Sequence, residues 1–295
     1  MSNTCINCGF FLREGAFNCS KCKFVIESKS ANEPPIDSWV KEFSKDRKNP
    51  NKHKRPAKSS PTGIGYNLLV LLMVSATLAF FYFFRDFLNK FPTPANTFLL
   101  ISLVLAMIYF SNHPEEIETF IGSPSEVKGK REYYRFLTSG FMHVNFMHIF
   151  FNGLALYSFG GGAETLLRRY YPEYGSFVYV VIFLLGLILA DIPTYFKESN
   201  NSQYRALGAS GAVSLVLGLY LAHYPNTQVL VFFIPMKGWV FLFLFLALSL
   251  LLSVKASKKA DRFLSLGGSN PIGHLTHFTG GFIGVVLAFT LLLFG

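Results

Sequence analysis

Four of the seven histidines in this chain, His143, His148, His274 and His277, stand at the starts of long apolar stretches. Ser210 sits among small residues in Gly208-Ala209-Ser210-Gly211. A serine in an apolar helix ordinarily returns its hydrogen bond to a carbonyl one turn back and does no chemistry. A hydroxyl within reach of an imidazole is different, because that is the nucleophile–base pair of acyl transfer. His148 and Asn152 share one face of a helix by their spacing, and His143 lies where that helix begins. Gly280 and Gly284 follow His277 along another helix, forming a small-xxx-small surface that lets backbones approach closely. With Gly208 and Gly211 flanking the serine, this pattern brings Ser210 within reach of His277. His274, one turn earlier, is the rival base; the glycine spacing favours His277.

The elements that must position these groups are membrane helices. Of 295 residues, 51% are hydrophobic, 33 are Phe and 15% are charged, against roughly 25% charged in soluble domains. Apolar stretches fall at about 66–84, 96–110, 144–159, 175–194, 208–224, 238–254 and 273–294. Each is near the roughly 17–25 residues that cross a hydrocarbon core. Backbone polar groups in lipid must be satisfied within each segment, so the expected fold is an all-α, multi-pass membrane protein. Alternate spans run in the same direction. The third, fifth and seventh therefore place His148 and Asn152, Ser210, and His277 at similar depth in one leaflet, a coincidence that packing alone does not explain. Asp191, in the same leaflet, reads as a helix-end acid near water. A transporter with a midplane polar site fits poorly, since the polar groups gather towards one leaflet.

The net charge of +10 is concentrated before the first apolar stretch, densest from Lys41 to Lys58. Beside a membrane span such a run holds topology or touches anionic lipid, so the lipid bilayer is an expected partner and nucleic acid is not. All four cysteines lie in two C-x-x-C pairs, Cys5/Cys8 and Cys19/Cys22. That spacing suits four thiolates around one structural zinc ion, with two disulfides or a redox pair as alternatives. The segment 1–26 resembles a zinc ribbon, a small surface for a protein partner. Residues 27–62, with Pro34, Pro35, Pro56 and Pro61, read as a basic flexible linker.

In chain order, Tyr134-Arg135, His143, His148-x-x-x-Asn152, Gly208-Ala209-Ser210-Gly211 and His277-x-x-Gly280-x-x-x-Gly284 resemble the marks of the rhomboid family of intramembrane serine proteases. The likeness covers about 95–295. It implies a six-helix catalytic core over 93–295, preceded by one additional transmembrane helix at 63–92. It implies Ser210 as nucleophile and His277 as general base, with His148, Asn152 and the Ser210 amide as oxyanion hole. Arg135 would brace the first loop and Glu164 the structure near Gly160-Gly161-Gly162. Catalysis would need no cofactor. The family often has an aromatic four residues after the serine, stacked on the base; here that position is Ser214.

The implied substrates are transmembrane helices of other proteins, in a bacterial inner membrane. The rival reading is a non-catalytic rhomboid-like protein that binds membrane helices while its ribbon recruits a partner. Seven spans place the basic tail and loops 111–142, 195–206 and 255–273 on one side. The positive-inside rule then puts that side, and the site's opening, in the cytoplasm, whereas bacterial family members typically open outwards. A six-span chain would put tail and site on opposite faces.

Overall fold

Helices follow the apolar stretches. The computed structural model describes residues 63–231, 233–255 and 273–294; the four cysteines and the linker lie outside them. The long helices are α1 (Gly63–Phe83), α2 (Pro94–Asn112), α3, α4 (Gly175–Glu198), α5 (Ser210–His223), α6 (Gly238–Lys255) and α7 (His274–Phe294). α3 is built of three consecutive pieces, Phe146–Ala155, a π-helical turn Leu156–Gly160, and Gly161–Tyr170. Four of these, α1, α2, α4 and α7, are long and apolar enough to cross a membrane, while α5 and α6 are shorter apolar helices. The molecule is an integral membrane protein of helical class.

Two stretches expected as connections are ordered differently. The glycine run 160–162 lies inside α3 rather than after it. These glycines are contact points: a methyl group on Gly160 would overlap the Asn96 side chain, and one on Gly162 the Tyr220 ring. Between α5 and α6 the chain forms an antiparallel hairpin, β1 (Gln228–Val231) and β2 (Ile234–Lys237), with Gln228 opposite Lys237. Val229 of this hairpin is buried with Leu217, Leu221 and Leu242.

α5 is the central helix, buried from Gly211 through Leu219 and again at Leu221. Its closest neighbour is α7. A methyl group on Gly280 would overlap the Gly211 carbonyl, one on Gly284 the Leu215 carbonyl, and one on Gly218 the Gly281 carbonyl. The first two contacts keep the same offset along both helices, so α5 and α7 run parallel. At about 1.5 Å per residue the 14 residues of α5 span about 21 Å, short of a roughly 30 Å hydrocarbon core. The chain reaches its amino-terminal end through a non-helical approach held by protein partners. Gly122 and Ala206 exchange backbone hydrogen bonds at 2.9 Å, and the Gly208 amide donates to the Ser139 carbonyl at 2.9 Å. Irregular backbone at such depth is tolerated when protein satisfies it in this way.

α1 is peripheral; Phe81 is its buried residue. Its two ends are pinned at opposite faces of the core. At one end Asn67 accepts from the Tyr134 amide at 2.9 Å and donates to the Arg131 carbonyl at 2.8 Å, in the same first loop that meets Ala206 and Gly208. At the other end Tyr82 stacks on Tyr174 with centroids 5.8 Å apart. Just beyond, Arg168 donates to the carbonyls of Asn89, Phe91 and Pro92.

Candidate active site

Ser210 is the first residue of α5, so its amide belongs to the first turn, where backbone N–H groups have no intrahelical acceptor. Gly208, two residues earlier, adopts φ +114°, a conformation open to glycine and rarely to other residues. It also lies against the next helix bearing a histidine. A methyl group there would sit 2.6 Å from His148 Cε1 and 2.8 Å from Nε2, with Asn152 Nδ2 at 3.7 Å. The turn leading into Ser210 is thus packed directly on His148 and Asn152. Asn145 caps α3, its Oδ1 accepting from the His148 amide at 2.9 Å, a favoured role for asparagine. His148 then emerges in the first turn and Asn152 one turn later.

Asn152 is 6% exposed, and its Nδ2 has no hydrogen-bond partner among the described residues. Leaving a buried donor unused costs about 1–3 kcal/mol, so such a group calls for an explanation. That donor faces Gly208, two residues before Ser210. His143, 3% exposed, packs edge-on against His148 with ring centroids 5.0 Å apart, backing that imidazole.

His277 comes from the other side, in the first turn of α7. Its ring lies between His274 at 6.1 Å and Phe245 of α6 at 6.4 Å, centroid to centroid. Gly280, one turn later, rests on the backbone of Gly211, so the turns carrying Ser210 and His277 face each other across the closest helix contact in the fold. Both residues are half-buried.

Two charged residues hold the frame. Glu164 of α3 is fully buried and accepts from the Ala95 and Asn96 amides at 3.1 and 2.8 Å and from Ser176 Oγ at 2.6 Å. A carboxylate on first-turn amides caps α2 and complements its dipole. Arg135 donates through Nη1 to the Glu118 and Ile121 carbonyls and through Nε to Glu132 at 2.6 Å, tying the first loop into one body. Burial pushes the neighbouring Tyr134 phenol up to about 12, so its hydroxyl stays a donor, here to the Thr119 carbonyl at 2.8 Å.

Sequence reasoning passed over Phe245 and named Ser214 and Asp191 without the contacts that each makes. Phe245 lies on a uniformly apolar helix, where nothing marks one aromatic above another. Ser214 Oγ donates to the Ser210 carbonyl at 2.6 Å. Asp191, expected at a helix end, lies inside α4, which continues to Glu198, and it accepts from Thr276 at 2.9 Å. An acid within an apolar run was the available signal.

A polytopic helical protein with a serine at the head of its central helix, flanked by two histidine-bearing helices, defines a narrow class. A family model described as the rhomboid domain matches residues 130–294. The chain is 31% identical over 137 residues to rhomboid protease GluP of Bacillus subtilis (strain 168), covering 44% of this chain and 25% of that protein. It is 26% identical over 142 residues to YdcA of the same bacterium, covering 47% and 65%. Against the human presenilin-associated rhomboid-like protein of mitochondria the identity is 25% over 150 residues, covering 50% and 35%. The match thus spans less than two thirds of each of these relatives. The chain belongs to the rhomboid family.

Proposed function

We propose that this protein is an intramembrane serine endopeptidase that hydrolyses peptide bonds in or beside the transmembrane helices of other membrane proteins. The observation that carries this reading is the packing of Gly208 on His148 and Asn152, two residues before Ser210, with a buried Asn152 amide that no described residue engages. The family relation to a protein named as a rhomboid protease supports it.

In this mechanism His277 takes the proton of Ser210 as Oγ attacks the scissile carbonyl. The oxyanion accepts hydrogen bonds from His148, Asn152 and the Ser210 amide. His277 then gives its proton to the leaving amine, and water, activated by the same imidazole, releases the acyl group as a carboxylic acid. Ser214, bonded to the Ser210 carbonyl, secures the first turn from which Oγ projects. Catalysis needs no cofactor on this route. Cys5, Cys8, Cys19 and Cys22 have the donor chemistry for one structural zinc, and the ribbon so formed is a surface for a protein partner. The membrane is the inner membrane of a bacterium.

The deciding experiment is fluorophosphonate labelling of the purified protein beside Ser210→Ala, with cleavage of a transmembrane substrate followed in parallel. Labelling and cleavage should both vanish in the variant. Cleavage that persists in Ser210→Ala overturns the reading.

A further inference from the structure

Asp191 is a carboxylate in the interior of an apolar helix, and the mechanism above leaves it unused. Placing an ionisable side chain there is costly unless polar partners meet it. Thr276 Oγ1 donates to Asp191 Oδ1 at 2.9 Å, and Thr194 Oγ1 lies 3.1 Å from Thr276 Oγ1. Thr276 has one hydroxyl proton and gives it to the carboxylate, so Thr194 is the donor in the second bond. A cavity of about 20 Å³ lined by Asp191, Thr194, Tyr204, Arg135 and Ser139 has room for about one water beside the carboxylate.

Three helices meet at this point through residues adjacent in sequence to the reacting pair. A methyl group on Gly211 would lie 2.7 Å from Thr276 Cγ2 and 2.8 Å from Ala190 Cβ. Gly211 follows Ser210, Thr276 precedes His277, and Ala190 precedes Asp191. The Asp191–Thr276 bond therefore ties α4 to α7 at the turn where α5 delivers the nucleophile.

We propose that Asp191 is a positioning residue for His277, acting through Thr276. It holds the first turn of α7 in the place that puts the imidazole within reach of Ser210 Oγ. This rests on the protease reading above. The reason for a hydrogen-bonded pair here is direction: such a bond weakens steeply when misaligned, so it fixes the rotation of α7 in a way that a non-directional apolar contact does not. A misplacement of about 1 Å in a reacting group costs on the order of a hundredfold in rate, so even a small rotation of α7 is felt at His277.

The test uses the full chain with a transmembrane test substrate and compares Thr276→Val, Thr276→Ser, Asp191→Leu and Asp191→Asn, with rates normalised to folded protein. Thr276→Val keeps the shape and removes the hydroxyl; Thr276→Ser keeps the hydroxyl. Asp191→Asn keeps an acceptor for Thr276. The expected result is a fall in kcat of about tenfold or more in Thr276→Val and Asp191→Leu, with KM within about twofold. Fluorophosphonate labelling of Ser210 should slow in step with kcat, and Thr276→Ser and Asp191→Asn should restore most of both. Full kcat in folded Thr276→Val overturns the positioning role alone, and so does a loss of thermal stability with kcat unchanged. Cleavage that persists in Ser210→Ala removes the protease reading and this proposal with it.

Discussion

The His277 imidazole lies nearly parallel to the Phe245 ring, with centroids 6.4 Å apart and planes 24° from coplanar. In the family that this chain resembles, an aromatic four residues after the serine often stacks on the base. Here that position is Ser214, whose hydroxyl is committed to the Ser210 carbonyl. The aromatic surface comes instead from α6, a different helix, and reaches the same imidazole.

Phe245→Leu is therefore expected to lower kcat while leaving KM nearly unchanged. An offset aromatic pair is worth about 0.5–1.5 kcal/mol, which corresponds to roughly a two- to tenfold loss. Phe245→Tyr, which keeps the ring, should stay close to the parent. Cleavage assays over a range of substrate concentrations separate the two parameters. An unchanged kcat in Phe245→Leu would show that the imidazole is oriented elsewhere.

The proposed oxyanion donors make a different prediction, because such groups act on charge that exists only during reaction. Asn152→Ala and His148→Ala should each lower kcat by on the order of 10²–10³, with little change in KM. Asn152→Ala should leave the protein at least as stable as the parent, since its Nδ2 has no partner among the described residues. Activity and thermal unfolding measured on one preparation decide this. A variant that loses stability together with activity would mark Asn152 as a packing residue.

The glycines can be told apart by what they touch. Gly280→Ala drives a methyl group into the Gly211 carbonyl, a backbone atom that cannot step aside. Overpacking of this kind costs about 1–3 kcal/mol. At Gly161 the nearest atom to an added methyl is Thr93 Cγ2 at 3.4 Å, ordinary contact, and helical alanine is favoured over glycine by roughly 0.5–1 kcal/mol. Thermal unfolding in detergent should therefore fall for Gly280→Ala and hold or rise for Gly161→Ala. Equal melting of both would contradict the packing described for α5 and α7.

These cases show why part of the molecule was legible in the sequence. Apart from α3, which runs on to Tyr170, helix positions followed the apolar stretches within a few residues, because length and hydrophobicity alone decide whether a segment suits lipid. The parallel course of α5 and α7 followed from counting spans. Gly280 and Gly284 announced a close approach through their spacing. Phe245 and Thr276 were invisible for the opposite reason: each gains its meaning from a residue on another helix. The run Gly160-Gly161-Gly162 misled, because glycine marks both a loop and a helix contact, and only the presence of Asn96 and Tyr220 opposite decides between them.

The amino-terminal cysteines give a prediction about metal. The purified full chain should carry about one zinc per molecule, lost when Cys5 and Cys8 are replaced by Ser. Cleavage should survive both that replacement and a truncation beginning near Thr62, since every residue assigned to the reaction lies after that point. Elemental analysis with thiol counting checks the first claim. Zinc-free protein with all four thiols oxidised would show disulfides instead.

Topology gives the last prediction. Asn67 binds the first loop at Arg131 and Tyr134, while Tyr82 meets Tyr174 at the opposite face, so α1 runs the full depth of the core. Gly63, the first residue of α1, therefore lies beside Lys130 and Glu132, on the face where the first loop meets Ala206 and Gly208. On the seven-span reading of the sequence, Lys and Arg are richest on that face, which the positive-inside rule assigns to the cytoplasm. Single cysteines at Ser60→Cys, Gly129→Cys and Glu173→Cys, in a background lacking the native cysteines, report the arrangement. A side chain at Gly129 meets nothing within 4 Å, and Glu173 is exposed, so both sites are open to reagent. With a membrane-impermeant maleimide on intact cells, Glu173→Cys should react while Ser60→Cys and Gly129→Cys stay protected until the cells are opened. Reaction at Gly129→Cys and Ser60→Cys together would invert the orientation and put the site outside. Reaction at Gly129→Cys with protection at Ser60→Cys would mean that tail and site lie on opposite faces, and that α1 does not span.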